Sequence, residues 1–145
     1  MFLTVFLTVF SGVITYVLGQ LIVKLLIDPV QEMNKTIGQI SHSLIEYANV
    51  IANPGVSSKE VMHQISQHLR QLSSQLQAHL YLIPKYDKTA RIFHLPAKVK
   101  ILAASGSLIA LSNSVFSASN GIHEHNVKRV ENVCDSLRIY LSEDN

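Results

Sequence analysis

The chain has 145 residues and a net charge of +2, which is too small to imply a polyanion partner by itself. Charged residues make up 15% of the chain, against about 25% in average globular proteins, and none of them precedes Lys24. The single cysteine, Cys134, excludes an internal disulfide and suits a reducing compartment.

The first predicted element is a membrane helix. Residues 2–23 contain no ionisable group except Tyr16, and about 20 mostly apolar residues suffice to span a bilayer. A cleaved signal peptide would need a basic start and a small-residue cleavage site, and neither is present. Lys24 and Lys35 follow the segment while no basic residue precedes it, which favours a cytoplasmic C-terminal side. We therefore expect a transmembrane helix in residues 1–28 and a cytoplasmic helical domain in residues 29–145.

Small and hydroxyl residues lie on one face of this predicted helix, in a stripe about 100° wide. These residues, called the anchor stripe below, are Thr4, Thr8, Ser11, Gly12, Thr15 and Gly19. Such residues let helices approach closely and form hydrogen bonds across the contact. The stripe predicts a seam between copies in a homo-oligomer of about four subunits, and in a closed ring it would line a pore. A simple anchor with incidental threonines is the alternative.

The next predicted helix continues from the membrane helix, with a bend at Pro29, to about residue 52. Its apolar residues recur at spacings of three and four and form what is called the lower stripe below. The lower stripe comprises Val30, Met33, Ile37, Ile40, Leu44, Tyr47 and Ile51. It follows the anchor stripe almost in phase, which supports self-association along one long helix.

Three further helices complete the predicted all-α bundle. A capping box with Ser57 as N-cap and Glu60 at the third position starts a helix that Pro84 ends. Residues 84–96 form a connector with at most a short helical turn. A central helix begins near Ala97 and holds no charged residue from Ile101 to Ile122. The last helix opens after Gly121. Its predicted apolar face consists of Val127, Val130, Cys134, Leu137 and Leu141.

A cluster of cations marks the connector and the start of the central helix. This basic cluster consists of Lys85, Lys88, Arg91, His94, Lys98 and Lys100, and Asp87 is the acid among them. Tyr81, Tyr86 and Phe93 are interleaved with it. Because cations neutralise phosphates and aromatic rings stack on bases, the cluster predicts an oligonucleotide or nucleotide-derived ligand. A solvated basic loop, or one that leans on anionic headgroups, is the alternative.

The remaining polar residues do not predict catalysis. His63 and His68 are five residues apart and His123 and His125 are two apart, so neither pair shares a helix face as metal ligands would. The ten acids are scattered, and no phosphate loop or nucleophile motif occurs. We expect no catalytic residue, metal or cofactor, and no enzymatic activity.

The layout of the whole chain resembles the small membrane effectors of bacterial antiphage defence. A short chain with an N-terminal span, a threonine-lined stripe and a basic helical cytoplasmic domain is similar to CRISPR-associated membrane effectors and to the channel subunit of the Hailong system. The resemblance implies a homo-oligomer in the bacterial inner membrane that responds to a nucleotide-derived signal, with ion conduction as one form of its activity. A membrane-tethered protein–protein interaction module without channel activity is the competing hypothesis.

Overall fold

A computed structural model describes residues 1–141, and the described part is helical, with no strand. The helices are α1 (Phe2–Ile22), α2 (Asp28–Glu46), α3 (Ala48–Ala52), α4 (Lys59–Leu82), α5 (Tyr86–Phe93), α6 (Lys98–Ser114) and α7 (Ile122–Leu137). A π-helical turn, Val23–Ile27, joins α1 to α2. The predicted all-α class with a long apolar N-terminal helix is confirmed. Residues 142–145 of the predicted domain lie outside the described residues.

The N-terminal helix is one run of 45 residues, Phe2–Glu46. Its first part is long and apolar enough to cross a membrane, and no residue of α1 is buried against the rest of the chain. Pro29 lies in the first turn of α2, and the wider π-helical turn before it accommodates the proline ring and its missing N–H. The run ends at Glu46 and α3 follows after Tyr47, so the predicted single helix to residue 52 is broken.

The bundle is built by α2, α4, α6 and α7, each packed on the next. Ser43 Oγ lies 2.9 Å from His68 Nε2, and Thr36 Oγ1 lies 2.9 Å from His79 Nε2, so α2 and α4 are antiparallel. Helix α6 lies in the centre, with Ile101, Leu108 and Leu111 fully buried. The predicted central helix is confirmed, because its apolar side chains face neighbouring helices of the same chain.

The lower stripe forms part of this core. Its members Val30, Met33, Ile40, Leu44 and Ile51 are buried, and the other two pack against them. Since these side chains contact the chain's own helices, they leave no apolar seam for a second copy. The sequence-based expectation that the lower stripe supports self-association is therefore corrected: its period reflects packing within one subunit.

Three local assignments also differ from the sequence analysis. Ser58, not Ser57, caps α4, because its side chain accepts a hydrogen bond from the Val61 N–H at 3.4 Å. The connector contains α5, which has eight residues. On α7, Val127 is exposed while Asn126 is buried, because the Asn126 amide donates to the Ile51 carbonyl at 2.9 Å. This hydrogen bond orients the start of α7 so that Asn126, rather than the predicted Val127, faces the core.

Candidate functional site

The anchor stripe is exposed along its whole length. Thr8 Oγ1 donates to the Thr4 carbonyl at 2.8 Å, so this hydroxyl is satisfied within its own helix. A Cβ atom added at Gly12 or Gly19 would meet nothing within 4 Å. The stripe is therefore an open, nearly flat surface of small residues that another helix can approach closely.

The basic cluster lies at the end of the bundle from which α1 leaves. Val30 is buried only three residues after the π-helical turn, so the domain reaches almost to the apolar segment. Tyr86 Oη, at the start of α5, lies 3.6 Å from Met33 Sδ near the start of α2. Helices α4 and α2 are antiparallel, which brings the C-terminal end of α4 and all of α5 to this end of the bundle.

Hydrogen bonds tie α5 to the chain segments on either side of it. Tyr86 Oη donates to the Pro96 carbonyl at 2.7 Å, and Thr89 Oγ1 donates to the Pro84 carbonyl at 2.8 Å. Burial raises the pKa of Tyr86 to about 12, so its phenol remains a neutral donor at physiological pH. Lys85 and His94 flank α5 in left-handed conformations, which reverse the chain sharply at both ends. The helix is thus a fixed platform for its outward side chains.

The structure brings together only part of the predicted basic cluster. Arg91 and His94 line a cleft of about 470 Å³ together with Asp87 and Arg138. Arg138 Nη1 donates to the His94 carbonyl at 3.3 Å, which ties the end of α7 to the end of α5. Sequence reasoning missed Arg138 because it lies 44 residues beyond His94 and only the packing of α7 brings it there. Asp87 reduces the positive charge of the cleft.

The four lysines of the cluster do not line the cleft and are exposed around it. Lys98 and Lys100 stand in the first turn of α6, where no acidic residue and no side-chain cap is present. Cations at a helix N-terminus oppose the helix dipole by about 0.3–1 kcal/mol each. Two lysines at this position therefore favour an external negative charge at this end of the domain.

The aromatic rings predicted to stack on bases are only partly accessible. Tyr86 is buried, Phe93 is half-buried and packed against the core, and Tyr81 is exposed. A stacking platform needs open ring faces, and two of the three rings lack them. The cluster therefore has the charge expected of a phosphate-binding surface without an evident base-binding platform.

Two histidines connect helices of the bundle. His79 is buried between α4 and α2, and its Nδ1 has no hydrogen-bond partner among the described residues. Burial lowers the pKa of His79, so the ring remains neutral near pH 7. His123 Nδ1 lies 2.8 Å from the Ala52 carbonyl. Within residues 1–141, no group of three or more His, Cys, Asp or Glu side chains is placed to hold a metal ion.

Serine side chains join α4 to α6. Ser73 Oγ and Ser105 Oγ are 2.6 Å apart, and Gln77 Nε2 donates to Ser105 Oγ at 2.6 Å. These contacts satisfy polar groups inside the bundle, which explains why a serine-rich helix is found at its centre.

No protein-family model matches the chain, and neither a curated protein nor a solved structure matches it significantly.

Proposed function

We propose that the protein is a homo-oligomeric effector of the bacterial inner membrane, with α1 as its single span and its helical domain in the cytoplasm. The observation that carries this proposal is the anchor stripe, which is small, hydroxyl-rich and fully exposed. Lipid tails form no hydrogen bonds, so hydroxyls gain from a second helix that offers them partners. Close approach at Gly12 and Gly19 adds van der Waals contact without displacing any atom of the chain.

Ion conduction is the activity that this arrangement favours. When several copies of α1 close a ring through the anchor stripe, threonine and serine hydroxyls line its axis. Polar lining favours a hydrated path, whereas apolar constrictions close a pore by dewetting. We propose about four copies in this ring.

A continuous helix connects the cytoplasmic domain to α1. Helix α1 continues through the π-helical turn into α2, and the buried face of α2 is fixed within the bundle. A change in how α2 packs on α4 therefore rotates or shifts α1. A ligand controls such a device only when it binds one arrangement more tightly than the other. The sequence predicts an oligonucleotide or nucleotide-derived signal at the basic cluster as this ligand, although only Tyr81 of the three predicted stacking rings is exposed.

A second candidate function is a membrane-tethered interaction module without channel activity. Burial of the lower stripe in the chain's own core favours it, because this stripe is then not available as an apolar seam for a second copy. In this case α1 is a tether, and the exposed surface of the bundle binds another protein. The two candidates differ in whether the anchors associate.

The test is native mass spectrometry of the full-length protein in mild detergent, with a matched pair of variants. Gly12→Leu places a large side chain on the anchor stripe, where it meets nothing in the monomer, so any effect reports a contact between copies. Val13→Leu, on the face opposite the stripe, is the control. We expect a defined oligomer for the wild type and Val13→Leu, and a shift towards monomers for Gly12→Leu. Monomers alone in every sample would overturn the proposal.

A further inference from the structure

The end of the bundle from which α1 leaves is called the membrane-proximal end below. Its outward surface combines cations with exposed apolar side chains. On α5, Lys88, Arg91 and Ile92 point away from the bundle, and Ile92 is 69% exposed. In the first turn of α6, Val99 is 75% exposed beside Lys98. Large exposed apolar residues amid lysines are the composition of helices that lie in a membrane interface.

The direction of α5 fits such a location. The axes of α5 and α6 differ by 92°, and α6 runs along the bundle, antiparallel to α4, as the Ser73–Ser105 and Arg70–Asn113 contacts show. Helix α5 therefore crosses the end of the bundle. Its inner face, with Tyr86, packs on the domain. If α1 spans the bilayer, α5 lies parallel to the membrane plane with its charged face towards the lipid.

The depth of α5 also fits. We take Ile27, the last apolar residue before Asp28, as the end of the hydrocarbon core. Met33, which contacts Tyr86 of α5, lies six residues further on, about 9 Å along the helix at 1.5 Å per residue. The headgroup layer is roughly 5–8 Å thick on each side of the hydrocarbon core. Since a helix with its side chains has a radius of about 5 Å, the outer face of α5 reaches the headgroups.

We propose that α5 and the first turn of α6 form an interfacial docking surface for anionic phospholipid headgroups. Lys85, Lys88, Arg91, Lys98 and Lys100 would contact the headgroup phosphates, while Ile92 and Val99 enter the boundary of the acyl chains. This inference rests on the proposed span of α1. We favour headgroups over a free polyanion as the partner of these cations, because the predicted stacking rings are largely covered and a spanning α1 would bring α5 within reach of the headgroup layer.

Docking of α5 also couples lipid composition to the anchor. Tyr86 connects α5 to Met33 of α2, and α2 continues into α1. Each lysine or arginine near an anionic surface changes the docking equilibrium by about fivefold. Attachment of α5 to the lipid therefore fixes the height and rotation of the bundle relative to the membrane.

The experiment places a fluorophore on single cysteines in full-length protein reconstituted into nanodiscs. Cys134→Ser removes the native thiol, and cysteine is then introduced at Ile92 or, as a control at the far end of the domain, at Val56, which is 81% exposed. Headgroup spin-labelled lipid quenches fluorophores at the membrane surface. Nanodiscs contain either phosphatidylcholine alone or phosphatidylcholine with 30% phosphatidylglycerol. We expect strong quenching at Ile92 in the anionic nanodiscs, weaker quenching in neutral ones, and none at Val56.

Charge variants and a reporter in the anchor decide the interpretation. Lys88→Ala and Arg91→Ala should each reduce the docking equilibrium about fivefold, whereas Lys59→Ala at the far end of α4 should not change it. Quenching at Ile92 that is equal in both lipids, or unaffected by these variants, would overturn the docking surface. The docking surface would also be overturned if the fluorophore at Ile92 were not quenched and a labelled oligonucleotide bound the protein in a salt-dependent manner. A fluorophore at Val13 with acyl-chain quenchers separates the two proposals: no quenching there overturns the span itself, and docking with it.

Discussion

The clearest test of the fold is the substitution Ile40→Ala in the lower stripe. Ile40 is 0% exposed and packs entirely within the bundle of its own chain. Truncation of a fully buried isoleucine removes its apolar contacts and leaves a cavity, which costs about 2–5 kcal/mol. A loss of about 3 kcal/mol in stability shifts the unfolding equilibrium by roughly a hundredfold. Ile45, also on α2 but 59% exposed, is the matched control, and Ile45→Ala should change stability by less than about 0.5 kcal/mol.

The assay is urea unfolding of the full-length protein in mild detergent, followed by circular dichroism at two protein concentrations tenfold apart. Because Ile40 packs within one subunit, the stability lost in Ile40→Ala should be the same at both concentrations. A loss that grows on dilution would show that the lower stripe joins copies, since dissociation depends on concentration. Equal effects of Ile40→Ala and Ile45→Ala would also refute the packing described for α2.

Three other perturbations test the interior of the domain. Leu72→Lys buries a charge on α4 and should cost several kcal/mol in urea unfolding; a loss below about 1 kcal/mol would contradict the burial. Asn126→Ala leaves the buried Ile51 carbonyl without its hydrogen-bond donor and should lower the free energy of unfolding by about 1–3 kcal/mol. An unchanged free energy of unfolding would contradict this contact. Burial lowers the pKa of His79 in the folded state, so the unfolded chain binds the proton first as pH falls through about 6.5. Stability should therefore decrease below that pH. His79→Gln should remove this decrease, unlike His125→Gln on the surface, and an unchanged pH profile would refute the assignment.

The sequence predicts much of the fold because apolar spacing and helix breakers are local signals. Pro84 and Gly121 mark real helix ends, and most of the uncharged stretch that begins at Ile101 does become the central helix. Periodicity does not reveal which partner an apolar face contacts. A heptad-like stripe looks the same whether it packs against another copy or against α4, and for the lower stripe only the tertiary structure distinguishes the two.

The basic cluster was visible in the sequence, but its geometry was not. Arg138 joins His94 through the packing of α7, which no local spacing indicates. The right angle between α5 and α6 and the contact between Tyr86 and Met33 place the cluster at the end of the bundle from which α1 leaves. Such contacts over long sequence separations depend on the whole bundle, so charge composition alone left the headgroup and oligonucleotide hypotheses open.

The most direct test of the proposed activity is the conductance of the reconstituted full-length protein in planar bilayers, with and without short oligonucleotides. We expect discrete current steps for the wild type. Thr15→Leu on the anchor stripe should reduce or abolish them because an apolar constriction dewets, while Val17→Leu on the opposite face should leave them unchanged. Absence of current under every condition, from protein whose domain unfolds cooperatively, would contradict the channel and leave the membrane-tethered interaction module as the function.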